Sequence, residues 1–266
     1  MPAAVLAANV GLVGAAHFVI VSVGSLAMGV LGGLLGVGGG VFLVPWLVMA
    51  AGVGAREAVG VSLLCVIATS AASSYVAGRR GDARLDVSLR LEPFLVVGAL
   101  VASAMGVRVA EGPLLVGFAV FILIVAALVW VRGRFAGVER PPGLPVERHG
   151  IVNALAALSG AASGLFGVGG GVLLIPGLVL LGRMPVKEAA TTSSLCLMSS
   201  AAAGAVVHLT QGGLPVDVVA IAVVGVLPGG LWGARLQQRV SARTLETTFM
   251  VLALAVAVLT ALKGFA

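Results

Sequence analysis

The chain has 266 residues, of which 60% are hydrophobic and 10% charged, with a mean hydropathy of +1.17 and a formal net charge of +6. Soluble domains carry roughly 25% charged residues, and one of this size still exposes about a quarter of its unfolded surface to water. So much apolar surface excludes a soluble enzyme, a nucleic-acid binder and a secreted disulfide module. It specifies an all-α, polytopic membrane protein.

No Asp, Glu, Lys or Arg precedes Arg56. The first 30 residues carry no basic segment and stay apolar past any plausible cleavage site, so a removable signal peptide is not expected. The first helix is expected over residues 22–35, lengthened toward the N-terminus by 3–21. It stops at a glycine run, Gly36 to Gly40, and a short helix follows over 41–51. Spanning segments are then expected over 57–78, 91–110 and 113–131. Residues 132–149 hold Pro141, Pro142, Pro145 and six charges, too polar for lipid. The second series starts with a helix over 151–166 and a glycine run, Gly167 to Gly171. A short helix over 172–182 and spans over 188–209, 216–236 and 245–262 complete it. By the rise of 1.5 Å per residue, neither member of the 151–166 and 172–182 pair reaches cleanly across a core of about 30 Å. Each half is therefore expected to hold a broken or re-entrant hairpin.

The two series are copies. A shift of 131 residues aligns GLLGVGGGVFLVPWLVMAAGVGAREAVGVSLLC, from Gly33, with GLFGVGGGVLLIPGLVLLGRMPVKEAATTSSLC, from Gly164. About 17 of these 33 positions are identical, and the matched Gly, Pro, Glu and Ser are not expected by chance from apolar composition. The organisation is a first transmembrane repeat over 1–131, a cytoplasmic linker over 132–149 and a second repeat over 150–266.

Basic residues set the orientation. They cluster at Arg79, Arg80, Arg84 and Arg90, in the linker at Arg132, Arg134, Arg140 and Arg148, at Arg183 and Lys187, and at Arg235, Arg239 and Arg243. Three crossings and one returning hairpin per half put all these loops in the cytoplasm and both termini outside. The second half is then inverted, an arrangement common in transporters. The pI of 10.6 is read as this topology signal and not as a nucleic-acid patch.

The glycine runs are the strongest functional signal. Glycine lets the backbone take φ > 0 and lets a solute approach its amides, and irregular backbone in a bilayer survives only where protein or a wet cavity covers it. Each run opens a helix N-terminus, at Val41 or Val172, with unpaired N–H groups and about half a positive charge. Two inverted copies bring both ends toward one midplane point suited to an anion. Close helix packing is the competing reading of these glycines. The candidate binding set is Gly36, Gly38, Gly39, Gly40 and Val41, with Gly167, Gly169, Gly170, Gly171 and Val172. The next helix of each half adds Ser62 with Cys65, and Thr192 with Ser193 and Cys196, on faces shared with Thr69, Ser73 and Ser200. Hydroxyls can donate to an oxyanion, or bond their own helix and its neighbours. The cysteines lie within apolar helices, which gives a disulfide no support.

Glu57 and Glu188 open matching helices, where a carboxylate favours the helix N-terminus or serves gating or proton transfer. His208 is read as an interfacial or packed histidine, with proton transfer as the alternative. Asp86 and Asp217 are expected to cap helices.

The repeated G-x-x-x-G-x-x-G-V-G-G-G-x-x-x-x-P pattern, from Gly29 to Pro45 and from Gly160 to Pro176, resembles the TauE/SafE family of membrane transporters, also called the sulfite exporter or TSUP family. Ser163 stands in the second copy where the first has Gly32. Thr192 and Ser193 match the family's Thr-Ser pair, for which the first half has Val61 and Ser62. His208, Gly212 and Asp217 are similar to its histidine and following turn, while Ala77 replaces the histidine in the first half. The resemblance implies movement of sulfite, organosulfonates or related small organic anions across a bacterial-type inner membrane, often outward. The expected function is a secondary transporter working by alternating access, driven by protons or membrane potential. An anion channel and a carrier of non-sulfur organic acids are the alternatives. An intramembrane hydrolase would have to use Ser163 and His208, and neither HExxH nor GxSxG is present. Neither a cofactor nor a nucleic-acid partner is expected. The expected partners are the small anion and membrane lipid, and a homo-oligomer is compatible with the sequence.

Overall fold

The computed structural model describes residues 3–78, 84–134, 149–237 and 239–265. Arg79, Arg80 and the linker prolines Pro141, Pro142 and Pro145 lie outside these residues. The described chain is all-helical. In order the helices are α1 (Ala3–Leu35), α2 (Gly40–Met49), α3 (Ala55–Gly78), α4 (Leu85–Gly106), α5 (Glu111–Arg134), α6 (His149–Phe166), α7 (Gly171–Leu180), α8 (Val186–Gln211), α9 (Val216–Leu236) and α10 (Ala242–Phe265). Eight of them are long and apolar enough to cross a membrane. The other two, α2 and α7, have 10 residues each, about 15 Å of helix, half the hydrocarbon thickness.

Helix α3 and helix α8 form the centre. Their spans are 67% and 56% buried, against 22–44% for the other six. Apolar burial alone gives helices no preference for one another over lipid, so association depends on close packing and polar contacts. Both are visible. Helix α1 lies along α9 through Gly29, Gly33, Gly229 and Gly233, where a Cβ would run into the facing backbone. Helix α6 lies along α4 in the same way, through Gly160, Gly164 and Gly98. These contacts obey the repeat: Gly98 meets the Ala157 carbonyl as Gly229 meets that of Leu26, and Gly33 meets Gly230 as Gly164 meets Ala99. Each residue here is 131 positions from its counterpart. Equivalent helices run antiparallel at the centre, where Gly60 of α3 touches His208 of α8 while Leu63 touches Gly204.

Two sequence expectations change. Helix α4 starts at Leu85, six residues before the expected start, because Arg84 at its N-cap fastens Asp86 of the first turn through Nε–Oδ1 (2.8 Å) and Nη2–Oδ2 (2.6 Å) bonds. Asp86 and Asp217 are consequently not caps. They sit in the first turns of α4 and α9, behind Arg84 and Pro215, where a carboxylate faces the positive end of the helix.

Candidate functional site

Both glycine runs make the same turn. Gly36, Gly38 and Gly39 have φ of 69°, 81° and 78°, and Gly167, Gly169 and Gly170 have 70°, 76° and 76°. Left-handed backbone at three of five residues costs an L-residue roughly 1–2 kcal/mol each, which is why the runs are glycine. The turns are buried, and so are eight of the ten residues of α2 and eight of α7. Irregular backbone at this depth is thus covered by protein, as a bilayer requires.

The two turns touch. A Cβ on Gly40 would collide with the Gly167 carbonyl oxygen and stand 3.0 Å from Val168 Cα. Each turn also packs on the other half's central helix: Gly167 on Val59 of α3, and Gly36 on Ala190 of α8. Val66 and Leu197, a matched pair on α3 and α8, both lie against Gly38 and Gly169. The first backbone bonds of the short helices run from Phe42 to Gly39 and from Leu173 to Gly170. The amides of Gly40 and Val41, and of Gly171 and Val172, precede them and form positive helix ends.

Hydroxyls on α3 and α8 hold the turns. Thr69 Oγ1 donates to the Gly38 carbonyl at 2.7 Å, and Ser200 Oγ donates to that of Gly169 at 3.2 Å. Ser62 Oγ donates to the Gly167 carbonyl at 2.7 Å, across the halves. Ser193 matches Ser62 and lies 3.1 Å from where a Gly171 Cβ would stand. Its Oγ is fully buried and has no hydrogen-bond partner among the described residues.

The remaining candidates sit elsewhere. Thr192 Oγ1 accepts from the Arg84 amide (3.1 Å), and the Cys196 thiol donates to Ser88 Oγ (3.4 Å), so both face α4 and not the turns. Cys65 is a buried free thiol in the core. Glu188 is buried and pairs with Arg84 at 3.2 Å. The Asp86 and Glu188 carboxylates together hold the Arg84 guanidinium above its ordinary range. Glu57 is exposed, with its carboxylate near Gly54 beside that of Glu111. His208 is buried against Gly60 and Leu214, with no partner for Nε2 among the described residues. Gly60 is one residue from Val59, whose carbonyl touches the Gly167 turn.

Sequence reasoning left Thr69 and Ser200 out of the binding set, and gave Arg84, which fastens Glu188 and Thr192 away from the turns, no role beyond topology. The first two carried a usable signal, because they match across the 131-residue shift and follow the glycines by the same interval. Arg84 carried none, since its partners on α8 are more than a hundred residues away.

Comparison with known proteins decides the family. The model described as "Sulfite exporter TauE/SafE" matches residues 20–260. The chain belongs to the TauE/SafE family. Among its TauE/SafE relatives, "Probable membrane transporter protein" of Xylella fastidiosa (strain 9a5c) is 30% identical over 244 residues, 90% of this chain and 93% of that protein. "Probable membrane transporter protein YunE" of Bacillus subtilis (strain 168) is 26% identical over 253 residues, 86% and 91% of the two chains. "Probable membrane transporter protein MamO" of Magnetospirillum gryphiswaldense is 24% identical over 272 residues, 88% of this chain but 43% of the relative. No solved structure matches. This TauE/SafE protein is therefore a multi-pass membrane transporter.

Proposed function

We propose that the protein is a secondary carrier, and not an enzyme, for a small oxyanion, sulfite or an organosulfonate, held where the two glycine turns meet. The observation that carries this reading is the buried contact of Gly40 with Gly167, together with the Ser193 hydroxyl at Gly171, which has no partner among the described residues. Two helix N-termini supply positive potential there without a buried arginine. Ser193 supplies a donor, and an unpaired buried hydroxyl costs about 1–3 kcal/mol unless a ligand or water satisfies it. The amides of Gly40, Val41, Gly171 and Val172 complete the shell. Thr69 and Ser200 keep the turns in shape; Thr192 and Cys196 are structural.

The antiparallel crossing of equivalent helices α3 and α8 supports two oppositely directed copies with α2 and α7 as re-entrant segments. Rocking one copy against the other would expose the site to alternate sides. His208, buried and next to the Gly167 turn through Gly60, is the group best placed for proton coupling. The family name supports the choice of sulfite.

Counterflow in proteoliposomes, with labelled sulfite, sulfoacetate, sulfate and acetate offered separately, tests the reading. Saturable exchange is expected for sulfite or sulfoacetate and not for acetate. Non-saturating flux that is equal for all four anions would replace the carrier with a channel.

A further inference from the structure

A second polar place lies at one end of the fold, apart from the glycine turns. Helices α4 and α6 pack in the same direction, with Leu95 against Gly160 and Ala99 against Gly164. Both N-termini, at Leu85 and His149, therefore share one end, and both present their positive poles there. Between them is a cavity of about 170 Å³ lined by Arg84, Asp86, Arg90, His149, Val152 and Asn153, among others. Asp86 is already engaged by Arg84 through two bonds. Arg90 Nη1 bonds His149 Nδ1; with the guanidinium donating, the ring's proton stands on Nε2, as a further donor. Asn153 Oδ1 is buried with no partner among the described residues.

The repeat supplies an internal control. The corresponding positions at the α9 and α1 ends are Pro215 for Arg84, Asp217 for Asp86, Ile221 for Arg90, Phe18 for His149 and Ser22 for Asn153. The helix-opening aspartate is kept and every cation is replaced. The fold closes at that end without Arg90 or His149, so packing does not require them at this one. Around the cations, the side chains are apolar and exposed: Leu85 at 62%, Leu89 at 66% and Ile151 at 52%. Charge at the level of the helix ends, rimmed by leucine and isoleucine, suits a molecule with an anionic head and hydrocarbon tails better than a free ion.

We propose that this cavity holds the phosphodiester headgroup of an anionic membrane phospholipid, with Arg90 and His149 as donors and its acyl chains along the exposed apolar side chains of α4 and α6. Basic pockets between membrane helices bind lipid headgroups in this manner. Asn153 Oδ1, without a partner among the described residues, can accept a bond from a headgroup hydroxyl.

Native mass spectrometry on the full chain in detergent, titrated with phosphatidylglycerol or phosphatidylcholine, tests this. The intact protein is expected to retain phosphatidylglycerol more tightly. Arg90→Gln and His149→Gln are each expected to weaken phosphatidylglycerol roughly fivefold, and leave phosphatidylcholine unchanged. Both residues are exposed, and unchanged thermal unfolding would show the variants folded. Equal retention of the two lipids, or retention unaffected by both substitutions, would overturn the proposal. Displacement of bound phosphatidylglycerol by inorganic phosphate at matching concentration would also overturn it, assigning the cavity to a free oxyanion.

Discussion

Ser62 and Ser193 stand at matching places 131 residues apart, yet Ser62 Oγ bonds the Gly167 carbonyl at 2.7 Å while Ser193 Oγ bonds nothing described. The two should therefore fail differently. Ser62→Ala strands a buried carbonyl and is expected to cost about 1–3 kcal/mol of stability. Ser193→Ala removes a group without a partner among the described residues, so its thermal midpoint should hold. Its kcat/KM for transport should fall about tenfold or more, the loss of one hydrogen bond to a charged ligand. Unfolding in detergent, run beside uptake in proteoliposomes, separates the two. Equal loss of stability in both variants would remove Ser193 from the anion site.

Gly40→Ala is expected to abolish transport and to lower stability by at least about 1–3 kcal/mol, because its methyl group meets the Gly167 carbonyl in a packed interior. Gly52→Ala serves as the control. Gly52 has φ of 68° with nothing within 4 Å of an added Cβ. It should cost only the roughly 1–2 kcal/mol of a left-handed alanine and keep transport. Similar uptake rates for both would detach the turn contact from function.

Arg84 ties α4 of the first half to α8 of the second, through Glu188 and through Thr192. The Glu188 side chain is 8% exposed and that of Arg84 20%. Either single glutamine substitution is expected to cost about 1–3 kcal/mol, below the value for a fully buried pair. The double substitution should cost less than the sum. Arg84→Lys should not rescue, because two guanidinium nitrogens already engage Asp86. A double-mutant cycle on thermal stability reads the coupling, and strict additivity would dismiss it.

His208→Gln keeps a polar side chain of similar reach but cannot carry a proton at neutral pH. Uptake driven by an imposed pH gradient is expected to collapse in this variant, while counterflow at equal pH continues. If gradient-driven uptake survives at the native rate, coupling resides elsewhere.

Much of the architecture was readable in the residues themselves. The glycine runs announced the helix breaks, since only glycine tolerates three left-handed residues in five, and the shift of 131 matched one half to the other. Helix faces were harder. The spacing of Thr192, Ser193, Cys196 and Ser200 suggested one face, but the structure divides it: Ser193 and Ser200 turn to the glycines, Thr192 and Cys196 to α4. Periodicity says which side chains are neighbours along a helix and nothing about which helix they meet. The start of α4 was missed for a related reason. Asp86, Ser88 and Arg90 interrupt the apolar run there, and Arg84 is set to bond Asp86 by its own contacts with Glu188 and Thr192, far along the chain.

The interleaving of the halves has a consequence for synthesis. Helix α1 is synthesised before α9, yet the surface that fits its glycines belongs to α9, eight helices later in the chain. Helix α4 likewise waits for α6. Pairing of α1 therefore waits on α9, and a chain cut short before α9 leaves α1 without the neighbour that its small-residue seam was shaped to receive.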